Sequence, residues 1–88
     1  MIERTVTIKN RTGLHTRPAA MLVKVAAKYQ SEFFIRKDSF EINGKSIIGV
    51  MTLAAEQGAM LVFRFEGPDE QEAADAVIAL VDRGFDEE

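Results

Sequence analysis

The chain has 88 residues, 47% of them hydrophobic, with a formal charge of −3, a single histidine and no cysteine. A chain of this length buries only about 60–65% of its extended surface, enough for one core and not two, so residues 1–88 are expected to form a single domain. The acidic balance argues against nucleic acid, whose phosphates need a basic face, and the lack of cysteine removes disulfides, thiolate nucleophiles and thiolate metal ligands.

At the N-terminus no apolar stretch leads into a small-residue cleavage site, and nowhere does the chain approach about 18 apolar residues in succession. A cytoplasmic location away from the membrane is therefore expected. Val6 and Ile8 alternate with Thr5, Thr7 and Lys9, the pattern of a strand with one buried face, and Asn10-Arg11-Thr12-Gly13 supplies turn chemistry after it. From Pro18 the apolar positions Leu22, Val25, Ala26 and Tyr29 recur at helical spacing, predicting an amphipathic helix over roughly 17–28 with Thr16 as its cap. Pro18 suits that first turn, where no N–H is needed and a fixed φ is already helical.

Glu32–Lys37 is aromatic and β-branched, and Asp38-Ser39 separates it from Phe40–Asn43, so the two read as a hairpin. Asn43-Gly44-Lys45 is a turn signal, and Ser46 ahead of an apolar run predicts a capped helix over about 47–55. Leu61, Phe63 and Phe65 then alternate with Val62, Arg64 and Glu66 as a fourth strand. Gly67-Pro68-Asp69 stops it and is expected to cap a last helix carrying Ala73, Ala74, Val77, Leu80 and Val81 as one stripe. Gly84 ends that helix and an acidic tail follows. The order β-α-β-β-α-β-α predicts an α/β (α+β) open-faced sandwich, a four-stranded antiparallel sheet with three helices on one face.

The chemistry concentrates on one turn. His15 lies between two apolar patterns and belongs to neither, so it is expected at the surface, where loops carry function. Arg17 sits in the first turn of a helix, where a cation is slightly unfavourable to the helix dipole, by about 0.3–1 kcal/mol. An anion held between His15, Arg17 and the helix N-terminus reverses that sign.

Gly13-Leu14-His15-Thr16-Arg17-Pro18-Ala19, followed by Asn43-Gly44-Lys45-Ser46-Ile47-Ile48-Gly49-Val50-Met51, resembles the histidine-containing phosphocarrier (HPr) family of the bacterial phosphoenolpyruvate-dependent phosphotransferase system. The resemblance extends over essentially the whole chain. It implies that His15 accepts a phosphoryl group on Nδ1 from phosphorylated enzyme I and passes it to an EIIA protein or domain. In that scheme Arg17 is the phosphate clamp, and the helix start at Thr16, Arg17 and Pro18 forms the phosphate-binding terminus. It implies a monomeric carrier that is no enzyme by itself and uses neither cofactor nor metal. It further implies regulatory phosphorylation of Ser46 by an HPr kinase/phosphorylase. Leu14, Ala20, Ile47, Ile48 and Met51, rimmed by Lys24 and Lys45, are expected to include an exposed apolar docking patch. The segments Gly67–Ala73, Ala76–Leu80 and Gly84–Glu88 look closer to NPr, the carrier of the nitrogen-related branch, which leaves the sugar and nitrogen branches both open. Two readings of other classes stand beside the carrier. One histidine without cysteine supplies no usual triad or zinc set for a hydrolase, and a regulatory module that only docks gives no role to His15 beside Arg17.

Overall fold

The structure, a computed structural model, describes residues 1–87. Its elements run β1 (Ile2–Thr7), α1 (Thr16–Ala26), β2 (Glu32–Lys37), β3 (Phe40–Asn43), α2 (Ile47–Thr52), β4 (Met60–Glu66) and α3 (Glu70–Asp82), and a short 3-10 turn, Gly84–Asp86, follows. The strands form one antiparallel sheet in the order β1-β4-β2-β3. This is the sandwich the periodicity predicts.

Register explains the core. Val6 lies opposite Leu61, while Phe33 and Ile35 on β2 lie opposite Phe65 and Phe63 on β4. Residues directly opposite share a face, so all six point to the same side, where Leu22, Val50, Val77, Leu80 and Val81 from the three helices complete one buried cluster. Phe33 anchors it, stacking on Phe65 at 4.7 Å between centroids and meeting Phe63 edge-on at 5.1 Å. On the opposite face Arg64 lies over the Phe34 ring at 4.6 Å and pairs with Glu41 at 3.1 Å. That polar face is why these strands alternate so clearly in sequence.

Several boundaries differ from the sequence pattern, each for a local reason. β1 begins at Ile2, three residues before the alternation becomes visible, because β4 is long enough to pair with it from Ile2 opposite Phe65. α1 begins at Thr16 with His15 at the N-cap: His15 is extended (φ −77°, ψ −176°) and its carbonyl accepts from the Ala19 N–H at 2.8 Å, so Thr16 is the first helical residue and not the cap. α2 stops at Thr52 and not near 55, since Ala54 takes a left-handed backbone at φ 50° that no helix continues.

Asp69 occupies the N-cap of α3, yet its side chain makes no capping bond. Its carboxylate instead reaches the loop between α1 and β2, where it accepts from the Gln30 and Ser31 N–H groups at 2.9 Å each and from the Ser31 hydroxyl. The tail beyond Gly84 is also more than an acidic extension: Phe85 turns inward and is fully buried. Glu88, the end of the expected acidic tail, lies outside the described residues.

The Ser31 hydroxyl, followed by the Gln30 N–H, holds the Asp69 carboxyl below its ordinary value of 3.8. A carboxylate whose folded pKa is depressed adds stability above its unfolded pKa and loses it as pH falls through the folded value. Asp69→Asn is therefore expected to lower the unfolding midpoint at pH 7 and to flatten the loss of stability below about pH 4. Urea unfolding of both proteins between pH 2.5 and 7 checks this, and parallel acid limbs would remove Asp69 from the account.

Candidate functional site

Gly13 is the pivot of the turn that carries His15. It sits at φ 69°, in the left-handed region, and a Cβ there would collide with the carbonyl oxygen of Ala55. The Gly13 N–H donates to the Asn10 carbonyl at 3.2 Å, and the Asn10 side-chain amide donates back to the Gly13 carbonyl at 2.8 Å. Leu14 follows, its N–H donating to the Ala55 carbonyl at 2.9 Å. With the backbone pinned on both sides, Leu14 points into the core, 4% exposed, and the extended His15 after it faces solvent.

This overturns one expectation. Leu14 belongs to the core cluster and cannot be part of a docking patch. Ala20, Ile47, Ile48 and Met51 are exposed as expected, Ile48 most of all at 75%. Lys24 is exposed near the end of α1, whereas Lys45 is half-buried and its ammonium donates to the Tyr29 carbonyl at 2.7 Å. Lys45 is thus a brace between the β3–α2 turn and the end of α1 before it is anything else.

At the start of α1 the first intrahelical bond is made by Ala19, and Pro18, buried, has no N–H to offer. The amides left without an intrahelical acceptor are those of Thr16 and Arg17, directly after the exposed imidazole. No acidic residue lies in this first turn. None of the ion pairs among the described residues involves Arg17, an exposed cation at the positive end of a helix. An imidazole with a free face, two amides and a guanidinium together form a site for a tetrahedral anion.

His15 opens on a shallow cleft of about 320 Å³, with Thr12, Met51, Ala54 and Glu56 on its walls. A larger groove of about 560 Å³ runs between β1 and α3 past Arg4, Lys9, Asp75 and Asp82. It holds none of the candidate site residues, and its Lys9 is already paired with Asp82 at 3.3 Å. Ser46 is exposed at the N-cap of α2, its hydroxyl oxygen accepting from the Gly49 N–H at 3.1 Å. The turn ahead of it is built by Asn43, whose side-chain oxygen accepts from the Lys45 N–H and whose carbonyl accepts from Ser46.

Known proteins match this arrangement along almost its full length. The family model described as the PTS HPr component phosphorylation site matches residues 2–83. The chain belongs to the HPr family. It is 42% identical to the phosphocarrier protein HPr of Treponema pallidum, with all of both chains covered. It is 46% identical to the HPr-like protein Crh of Halalkalibacterium halodurans, over 94% of this chain and 99% of that one. The phosphocarrier protein NPr of Proteus mirabilis is 42% identical over 97% and 96%. A crystal structure of HPr from Thermoanaerobacter tengcongensis superposes with a TM-score of 0.97 at 45% identity, covering 100% of this chain and 99% of that one, and a crystal structure of an HPr dimer from the same organism gives 0.80. Like the family, the chain is a phosphocarrier of the phosphotransferase system and not a catalytic enzyme. No helix among its described residues is long and apolar enough to cross a membrane.

Sequence reasoning missed Asn10, Ala54 and Ala55. Asn10 was visible as a turn residue, but its three-residue reach to Gly13 belongs to the fold. Ala54 and Ala55 carried no signal, because what they contribute is a backbone shape and a carbonyl.

The left-handed Ala54 generates a prediction. A Cβ in this conformation costs about 1–2 kcal/mol and glycine returns part of that as chain entropy, so Ala54→Gly is expected to stabilise the protein by roughly 0.5–1 kcal/mol. Ser46→Ala, which removes the α2 cap, should destabilise it by about 1 kcal/mol. Denaturant midpoints at constant m-value measure both, and a destabilised Ala54→Gly would contradict the strain argument.

Proposed function

We propose that His15 is the residue on which this carrier takes the phosphoryl group, receiving it on Nδ1 from phosphorylated enzyme I and delivering it to an EIIA protein or domain. The observation that carries this reading is the exposed His15 imidazole at the N-cap of α1, next to an exposed Arg17 that joins no ion pair among the described residues and two amides without intrahelical partners. The lone pair of Nδ1 attacks phosphorus as the bond to the donor breaks. The imidazole proton that becomes surplus is lost to solvent, and the phosphoimidazole keeps a leaving group good enough for the reverse step on the acceptor. Arg17 and the amides of Thr16 and Arg17 meet the phosphoryl oxygens, so the site supplies position and charge. Pro18 keeps the turn from fraying. Residues 1–88 act as one unit, as a monomer in the cytoplasm.

Ile47, Ile48 and Met51 on α2, with Ala20 and Lys24 on α1, form the surface on which enzyme I and EIIA dock in turn. A small patch suits this use, because successive partners must also leave. Ser46 is the regulatory position, taking phosphate from an ATP-dependent HPr kinase. Its hydroxyl is used by the fold only as an acceptor, so esterification leaves an oxygen in place for the Gly49 N–H while putting negative charge beside Ile47 and Ile48. The sugar branch is the better-supported assignment: HPr relatives from several organisms match over the full chain, and the Ser46 motif resembles kinase-regulated members.

Incubation with enzyme I and labelled phosphoenolpyruvate should place acid-labile phosphate on the wild type and none on His15→Ala. Arg17→Ala should retain uptake at a rate lowered roughly a hundredfold. A wild type that takes no label from a competent enzyme I, or a His15→Ala variant that does, refutes the assignment. With HPr kinase and ATP, acid-stable phosphate should appear on the wild type and vanish in Ser46→Ala.

A further inference from the structure

The segment after α3 is fastened to the turn that presents His15. After α3 the backbone reverses through Gly84, Phe85 and Asp86, three successive left-handed residues at φ 65°, 57° and 59°. Two of the three carry side chains, a conformation that persists only where the surroundings over-determine it. The burial of Phe85 is one part of that determination, and the other is Glu87. Thr12 donates its hydroxyl to the Glu87 carboxylate, at 3.0 and 3.1 Å from the two oxygens, and the Asn10 side-chain amide donates to the same carboxylate at 3.1 Å. Asn10 is the side chain that also closes the turn on the Gly13 carbonyl, and Thr12 lines the cleft shared with His15. The Glu87 N–H completes the reversal by donating to the Gly84 carbonyl at 3.1 Å.

We propose that Glu87 is a positioning residue for phosphoryl transfer, its carboxylate latching the Asn10–Gly13 turn while His15 is free and letting go when His15 carries the phosphoryl dianion. The inference rests on His15 being the phosphoacceptor. Before transfer, the latch removes freedom from Thr12 and Asn10 and so holds the backbone that aims the imidazole. After transfer, a dianion stands on the same cleft as Thr12, and a carboxylate bonded to that threonine becomes a like charge in the wrong place. The hydrogen bonds that hold it are exposed or half-buried and each contributes modestly, so a nearby dianion suffices to shift the balance. The strained backbone of Phe85 and Asp86 favours release once the carboxylate is freed. Glu87 acts on His15 only through the turn.

The test uses the full chain, isotopically labelled, before and after phosphorylation by enzyme I and phosphoenolpyruvate. Exchange of the Glu87 amide should accelerate roughly two- to fivefold on phosphorylation of the wild type, the size expected when an exposed charge interaction is lost. Glu87→Gln, which keeps the acceptor and removes the charge, should abolish that acceleration. Glu87→Ala should lower the rate of phosphorylation with KM for enzyme I unchanged, since the latch lies off the docking surface, and the Gln variant should restore most of the rate. Phosphate uptake with identical Glu87 exchange in both states, or a Glu87→Ala variant phosphorylated at the wild-type rate, overturns the latch alone. A wild type that takes up no phosphate overturns both the latch and the assignment of His15.

Discussion

The working end of this molecule depends on one backbone contact, the hydrogen bond from the Leu14 N–H to the Ala55 carbonyl, made where Gly13 leaves no room for a Cβ. It ties the end of the β1–α1 turn to the segment after α2, two stretches some forty residues apart in sequence. From it follow the inward Leu14, the outward His15, the start of α1 at Thr16 and the walls of the cleft that His15 shares with Met51 and Ala54. A larger residue at position 13 would therefore do more than strain a turn. It would part His15 from α2.

Electrostatics at that end are defined by what is left unpaired. Several cations elsewhere are engaged: Lys9 with Asp82, Arg64 with Glu41 and Glu66, Arg83 with Asp86, and Lys45 with the Tyr29 carbonyl. Arg17 is left to solvent beside the positive end of α1, where no carboxylate of the first turn offsets it. In a chain with net charge −3 this brings an exposed guanidinium, a helix N-terminus and an imidazole together at one spot, which suits that spot to an anion. Exposed pairs of this kind contribute little to stability, so their arrangement matters more for where a dianion can settle than for holding the fold.

How much could be read from the sequence follows from which forces act locally. Strand alternation, the Pro18 helix start, the Asn43-Gly44 turn and the Ser46 cap are short-range effects, and all were legible. So was the exposure of His15, which belongs to neither apolar pattern flanking it. What escaped were long-range bonds between groups of no distinctive type. Asp69 reads as a cap in isolation, but the Ser31 and Gln30 amides compete for its carboxylate across 38 and 39 residues of chain. Leu14 reads as one of a group of apolar residues at two helix starts that cannot all turn inward, and it is the bond to the Ala55 carbonyl that commits it to the core. Phe85 and Glu87 read as a tail because nothing local predicts that two non-glycine residues will adopt left-handed backbones there.

The position of Ser46 relative to the core shows why a phosphate there need not disturb the fold. α2 is only six residues long and buries one side chain, Val50, while Ile47, Ile48 and Met51 remain at the surface. A helix this short has little propensity to stand alone and is held by its ends: the Asn43 turn and Ser46 cap at one, and at the other the Lys37 ammonium, which donates to the Leu53 carbonyl at 3.3 Å. Charge added at the N-cap sits at the positive end of the helix, where it is tolerated, and the buried face one turn away is untouched. The exposed face alone changes, from apolar with a polar cap to apolar beside a dianion. Any partner that buries Ile47 and Ile48 must then desolvate that charge or pair it, and one that offers neither a cation nor room for water loses affinity. A modification that is nearly silent for stability can thus select among docking partners.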